Sequence, residues 1–362
     1  MDDESKSSAM ISDAVSCWKP DVLVIGPGGM KGFKYLGAVW AMESANLLTE
    51  VKILLGVSVG AAFGLLWLAG YKIPEIFRTA ADSGIFHGID SIDIKQVISE
   101  LGAISNENIE DMLNEKLENK YGFVPTLYKF YLLTGIKYEI LSSNLDNVDG
   151  DYISYETDPD LSAVEACMLS MNIPFIFQVL RYKGCSMIDG AFSNPYPVDR
   201  YDYGDHRILG LALETEFSSD PSANIASYIY RILNHPITLL RRNIKKHCSE
   251  RCKHIMLYSS MADITGMSMD LDMKKQMLIA GWSCAATFVR RLQAGVDSIE
   301  IPEEGEVPLV SEDEVLDELN TAPASWSDSF LTLEQLDEPD SDDNDKYVYI
   351  QLTDRAAKKL GL

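Results

Sequence analysis

Short apolar runs alternate with longer stretches of helical periodicity along the first half of the chain. "DVLVIG", Asp21 to Gly26, is a β-branched run closed by glycine, the pattern of a strand buried on both faces. After the Gly-rich "GPGGMKG", the apolar residues of "FKYLGAVWAMESANLL" recur at helical spacing. "VKILLG" predicts a second strand, and a second helix begins at Ser58. Strand, Gly-rich loop, helix, strand, turn, helix is the opening of an α/β fold with a largely parallel sheet. Further on, "ENIEDMLNEKLENKYG" predicts a helix, "KYEILSSNL" a strand, and "SMIDGA" a strand or hairpin ending in a turn. "RILGLALE" and "HIMLYSS" are two more strands, and "MKKQMLIAGWSCAATFVRRLQ" is a long amphipathic helix that closes the packed region near residue 293.

One segment has the hydropathy of a membrane span. Ile53 to Tyr71 carries no charge and is close to the minimum of about 20 residues that a spanning helix needs. It also contains "GVSVG" and further glycines, so it reads as a buried strand, a tight turn and a buried helix. The polar, acidic "MDDESKSSAM" lacks a basic region followed by an apolar core, so no secretory signal is visible. The expected location is cytoplasmic, with peripheral membrane association.

Charge divides the chain. Its net charge is −24, and from Leu292 to Asp345 it carries 18 Asp and Glu with no Lys or Arg. Three quarters of the excess therefore lies in one C-terminal segment, whose composition predicts disorder. The expected organisation is a disordered tail over 1–19, one folded domain over 20–293, and an acidic, largely disordered tail over 294–362 that offers an arm for a protein partner. This balance argues against nucleic acid as a partner, because phosphate recognition needs a basic face. The one basic run, "RRNIKKHCSERCKH", makes Arg241, Arg242, Lys245 and Lys246 candidates for contact with anionic headgroups. Of the six cysteines only Cys248 and Cys252 are close. His247 and His254 flank them, but no second pair follows at zinc-finger spacing, and the reading is reduced thiols with no metal.

Candidate chemistry starts at "GVSVG", Gly56 to Gly60. Small residues on both sides of Ser58 allow a sharp strand-to-helix bend that exposes the hydroxyl, and the helix N-terminus favours negative charge there. A serine needs a base and a site for the oxyanion. His87, His206, His235, His247 and His254 lie in segments with no supporting motif. Asp189, at the end of an apolar strand and before Gly190, is a place where a carboxylate is buried and aimed. "GPGGMKG" fits neither a dinucleotide fingerprint nor a P-loop. Its backbone N–H groups at Gly28, Gly29 and Met30 suit an oxyanion.

Taken together, "GPGGMKG", "GVSVG" and "DGA" resemble the three ordered motifs of the patatin-like phospholipases. "SMNIPFIF" and "NPYPV" around the aspartate, and "YEILSSNLDN" upstream, are also similar to that family, and the resemblance covers residues 21 to 293. It implies a three-layer α/β/α fold with a mainly parallel central sheet and a Ser58–Asp189 dyad without histidine. It also implies an oxyanion loop of Gly28, Gly29, Met30 and the cation Lys31, with Gly32, Gly56, Gly60 and Gly190 as motif glycines. The implied activity is hydrolysis of acyl esters of phospholipids or other lipids, with no cofactor. The alternatives are a patatin-fold interaction protein with weak or no activity, and acyl transfer to an alcohol from the same acyl-enzyme. The chain departs from the pattern at Pro27, Lys31 and Val59.

Overall fold

In the computed structural model, residues 18–81, 102–104, 106–217, 225–261 and 270–295 are described. The predicted opening is present: strand β1 (Val22–Ile25), helix α1 (Phe33–Ser44), strand β2 (Ile53–Gly56) and helix α2 (Val59–Leu68). Helix α1 stops short of the predicted Leu48, where the chain turns through Asn46 at φ 55°. The uncharged segment from Ile53 to Tyr71 is thus divided between a strand and a ten-residue helix. Among the described residues no helix is long and apolar enough to cross a membrane.

Helix α3 (Ile73–Ala81), strand β3 (Gly102–Ile104) and helices α4 (Glu107–Tyr121) and α5 (Leu127–Thr134) lead to strands β4 (Lys137–Asn144) and β5 (Asp149–Ile153). Helix α6 (Ala163–Met171) follows, then β6 (Phe175–Phe177), the hairpin β7 (Leu180–Tyr182) with β8 (Cys185–Asp189), and β9 (Ile208–Phe217). The last elements are helix α7 (Ile225–His247), strand β10 (Cys252–Met261) and helix α8 (Leu271–Gln293). Gly122 ends α4 at φ 79°, and Asp270 caps α8 by accepting from the Met273 N–H at 2.8 Å.

Among the described residues the main sheet has the order β10–β9–β1–β2–β4–β8–β7, with β5 also paired to β4. The five strands from β10 to β4 are parallel, and β5, β7 and β8 are antiparallel to their neighbours. Side chains alternate across this sheet. Leu23 and Ile25 join the larger core formed with α1, α2, α6 and α8, while Val22 and Val24 pack on the opposite face with Tyr196, Val198 and Tyr201. The sheet is therefore the middle of three layers.

One feature of the register positions the site. Ile140 on β4 lies opposite Gly56 on one side and Ile153 on the other. Two residues on, Ser142 lies opposite Asp189 and Asp151. Strand β5 occupies one edge of β4 from Ile140 to Asn144, so β2, whose pairing ends at Ile140, and β8, whose pairing begins at Ser142, share the other edge and meet end to end. The residues just past Gly56 and those at Asp189 are brought together by this pairing alone.

The edges of the described region differ slightly from the expected tails. Trp18 already packs against the core, with the Lys253 ammonium 5.5 Å from its ring centroid, and Lys19 donates to the Thr49 hydroxyl at 2.8 Å. Residues 1–17 and 296–362, Cys17 and His87 among the sequence candidates, and most of the acidic tail lie outside the described residues.

Candidate active site

Ser58 is the N-cap of α2, with φ 57° and ψ −130°, a conformation strained for any residue with a side chain. The bend is possible because its neighbours are bare. A Cβ on Gly56 would stand 2.5 Å from Ala61 Cα, and one on Gly60 would stand 2.4 Å from the Ile25 carbonyl oxygen. The Ser58 N–H donates to Ser170 Oγ at 2.9 Å, and that hydroxyl donates to the Leu141 carbonyl at 2.6 Å. The end of α6 thus ties the bend to strand β4.

Asp189 is held as firmly. Its N–H donates to the Asn172 carbonyl at 2.8 Å, and its own carbonyl accepts from Ser143 Oγ at 2.8 Å. The carboxylate accepts from the Ala191 N–H at 2.9 Å, and the Ser58 side chain beside it favours its charged form. Gly190 lets the chain cross β4, since a Cβ there would lie 2.1 Å from the Leu141 carbonyl oxygen. Burial pushes the Asp189 carboxyl up to about 6, and the hydrogen bonds from Ser58 and Ala191 oppose that rise.

The Gly-rich loop forms a single 3₁₀ turn, Gly29–Gly32. Gly29 and Met30 border the same cavity as Ser58. Gly28 sits behind them, where a Cβ would come within 2.4 Å of Leu213 Cδ1. Pro27 accepts from the Tyr35 hydroxyl at 3.0 Å, which anchors the loop to α1. The Lys31 N–H is used on the Gly28 carbonyl at 3.1 Å, and its side chain is buried. Gly32 faces Val59, whose Cγ1 would be 2.8 Å from a Cβ at that position.

The cavity beside Ser58 encloses about 840 Å³, its open mouth included. Apart from Ser58 and Thr79 its walls are apolar, with Phe33, Phe63 and Leu66 from one side and Met112, Leu113 and Ile176 from another. Among the described residues no histidine lines it. His206 bonds Asp21 at 2.9 Å, His254 bonds the Tyr196 hydroxyl at 2.8 Å, and His247 contacts the Asn243 carbonyl at 2.7 Å. Cys248, Cys252 and Asp202 bring donor atoms within 4.8 Å of one another, but both Asp202 oxygens already accept from Ser249, and His247 and His254 turn elsewhere.

The headgroup-contact candidates need a correction. Arg241 is buried and gives a two-pronged hydrogen bond to Glu214, at 3.2 Å from Nε and 2.8 Å from an Nη. It sits on the inner side of α7, in line with Ile237 and Ile244, so it cannot reach a surface. Arg242 and Lys246 are exposed, and Lys245 is half-buried. The sequence reading also missed the residues that fix Ser58 and Asp189. Ser170 and Asn172 belong to the quoted "SMNIPFIF", and Ser143 to "KYEILSSNL". A small polar residue inside an otherwise apolar segment was the available signal.

A serine at a strained strand-to-helix bend, with a buried carboxylate next to it and an apolar cavity beside it, can perform acyl transfer through its hydroxyl. The parallel sheet and this bend place the protein among α/β folds of the nucleophile-elbow kind. Residues 23–201 match the patatin-like phospholipase family, and the chain belongs to that family through this domain. Over 180 residues it is 28% identical to "Probable lipid hydrolase 463L" of Invertebrate iridescent virus 6, covering 49% of this chain and 61% of that one. Over 176 residues it is 25% identical to "Lysophospholipase NTE1" of Lodderomyces elongisporus, covering 49% of this chain and 11% of that one. The chain therefore spans less than two thirds of the length of either relative. VipD from Legionella pneumophila superposes with a TM-score of 0.49 at 14% identity, covering 88% of this chain and 80% of that one.

Proposed function

We propose that the protein hydrolyses carboxylic esters of acyl lipids through a Ser58 acyl-enzyme, with Asp189 as the base. The observation that carries this reading is a buried Asp189 carboxylate beside the Ser58 side chain, with no ion pair to it among the described residues. Asp189 takes the hydroxyl proton as Ser58 attacks the ester carbonyl. The oxyanion rests on the N–H groups of Gly29 and Met30, with Gly28 shaping the turn and Lys31 adding positive field. Collapse expels the alcohol, which receives the proton from Asp189. Water, deprotonated by the same carboxylate, then attacks the acyl-enzyme; the bond to Ser58 Oγ breaks, Asp189 returns the proton to that oxygen, and the fatty acid leaves. A carboxyl raised to about 6 is a stronger base than an exposed aspartate and is still mostly ionised at neutral pH. The apolar walls beside Ser58 suit an acyl chain.

The test is labelling with a fluorophosphonate probe. Labelling of the wild type and not of Ser58→Ala supports the reading. A wild type that stays unlabelled and cleaves no lipid from a panel of phospholipids, lysophospholipids and acylglycerols would leave an interaction protein. Recovery of new esters in place of free acid would show acyl transfer.

A further inference from the structure

Val59, the first residue of helix α2, borders the cavity directly after Ser58. Its side chain bridges from α2 to the 3₁₀ turn Gly29–Gly32. A Cβ at Gly32 would stand 2.8 Å from Val59 Cγ1, 3.1 Å from Val59 Cγ2 and 3.1 Å from the Phe63 ring. Both methyl groups are therefore seated on a bare glycine, with no space on that side into which they could withdraw. A helical valine also keeps one dominant χ1 rotamer, so the side chain does not swing aside. Val59 thus takes up space at the end of the cavity that Ser58, Gly29 and Met30 also border.

We infer that Val59 makes the site selective for acyl groups that are unbranched at the α-carbon. The inference rests on the acyl-lipid reading above and names the class of acyl chain that the site takes. In the acyl-enzyme the carbonyl carbon is bonded to Ser58 Oγ, and its oxygen rests on the turn at Gly29 and Met30. The α-carbon is then two bonds from Oγ, and it enters the cavity through the gap between α2 and the turn that Val59 spans. A methylene passes there with two hydrogens. A methyl group in place of one of them meets Val59, which is backed by Gly32 and Phe63 and does not yield. Further along, Met112 and Met171 line the cavity. Their unbranched, flexible side chains adapt to the shape of an occupant. Discrimination is therefore confined to the carbon next to the ester, and a branch near the far end of the chain is accepted.

The experiment compares kcat/KM of the full chain for p-nitrophenyl hexanoate, its α-methyl analogue and the analogue branched at the penultimate carbon. Each value is divided by the rate at which hydroxide cleaves that ester, which removes the intrinsic effect of the branch. The wild type is expected to favour the hexanoate over the α-methyl ester by about tenfold or more, the range in which an apolar pocket discriminates one carbon. The ester branched at the far end should be cleaved nearly as well as the hexanoate. Val59→Ala should lose most of the preference against the α-methyl ester, and Val59→Thr, which keeps the branched shape, should retain it. If thermal melting shows the alanine variant to be unfolded, Val59→Ser trims the same branch and carries the test. A wild type that takes the hexanoate and the α-methyl ester equally overturns the inference. So does a folded Val59→Ala protein with the wild-type preference. A wild type that cleaves none of the three esters would instead remove the proposed activity, and the selectivity with it.

Discussion

Asp189 and Glu214 are both buried carboxylates on strands of the same sheet, Asp189 closing β8 and Glu214 within β9, yet the chain treats them oppositely. Glu214 receives two arginines. Arg241 bonds one oxygen through Nε and an Nη, and Arg242 bonds the other. Asp189 receives one backbone N–H, with the Ser58 side chain beside it, and burial raises its carboxyl to about 6. A paired carboxylate fastens α7 to β9. An unpaired one holds a negative charge at a free-energy cost, and that cost is what makes it basic. The same residue class, at similar depth, is structural or reactive according to whether a cation reaches it.

The contrast is tested most strongly at the dyad. Ser58→Ala and Asp189→Asn are each expected to lower ester hydrolysis by about a thousandfold or more, with circular dichroism unchanged. For the wild type, kcat/KM should rise with pH through an apparent pKa of about 6, as Asp189 loses its proton. An Asp189→Asn protein that keeps most of its activity, or a profile flat between pH 5 and 7, would remove Asp189 as the base.

At the paired carboxylate the effect should fall on stability. Glu214→Ala leaves Arg241 buried without its partner, and the expected loss is about 3–5 kcal/mol in urea unfolding. A Glu214→Leu/Arg241→Met double variant should recover most of it, because the charges are then removed together. A single-variant loss under about 1 kcal/mol would mean that Arg241 finds water or another acceptor, and the clamp is weaker than its geometry.

What the sequence disclosed follows the same division. The opening β1–α1–β2–α2 was legible because strands buried on both faces read as unbroken apolar runs. Ser58, Asp189 and their glycines were legible because close backbone approach leaves a local mark. Helix α7 was not, since Pro236 stands inside it and reads as a break. The burial of Arg241 depends on Glu214, from a strand 27 positions earlier, and a basic run gives no hint of such a partner. The meeting of β2 and β8 along one edge of β4 was hidden too, because β7 is only three residues long and its register is set by pairing.

The unpaired charge also predicts a pH-dependent stability. A carboxyl whose pKa is higher in the folded state than in the unfolded chain stabilises the fold while protonated. That contribution is complete below about pH 4 and is lost as pH rises through about 6. Asparagine cannot titrate, so Asp189→Asn should gain on the wild type by up to about 3 kcal/mol between pH 4 and pH 8. Parallel unfolding curves for wild type and Asp189→Asn across that range would show that solvent relieves the burial.

The smallest effect isolates the backbone at Ser58. Its φ of 57° and ψ of −130° are accessible to glycine and strained for a residue with a Cβ. Ser58→Ala and Ser58→Gly both lack the hydroxyl, so both should be inactive, and they differ only by the Cβ. Relief of strain favours the glycine variant by about 1–3 kcal/mol, while the greater freedom of glycine in the unfolded chain costs about 0.5–1 kcal/mol. Ser58→Gly is therefore expected to be about 1 kcal/mol more stable than Ser58→Ala in urea unfolding. If alanine is equally or more stable, the bend is not strained. The hydrogen bond from the Ser58 N–H to Ser170, present in both variants, would then be what holds the hydroxyl in place. Ser170→Ala would become the substitution that separates position from strain.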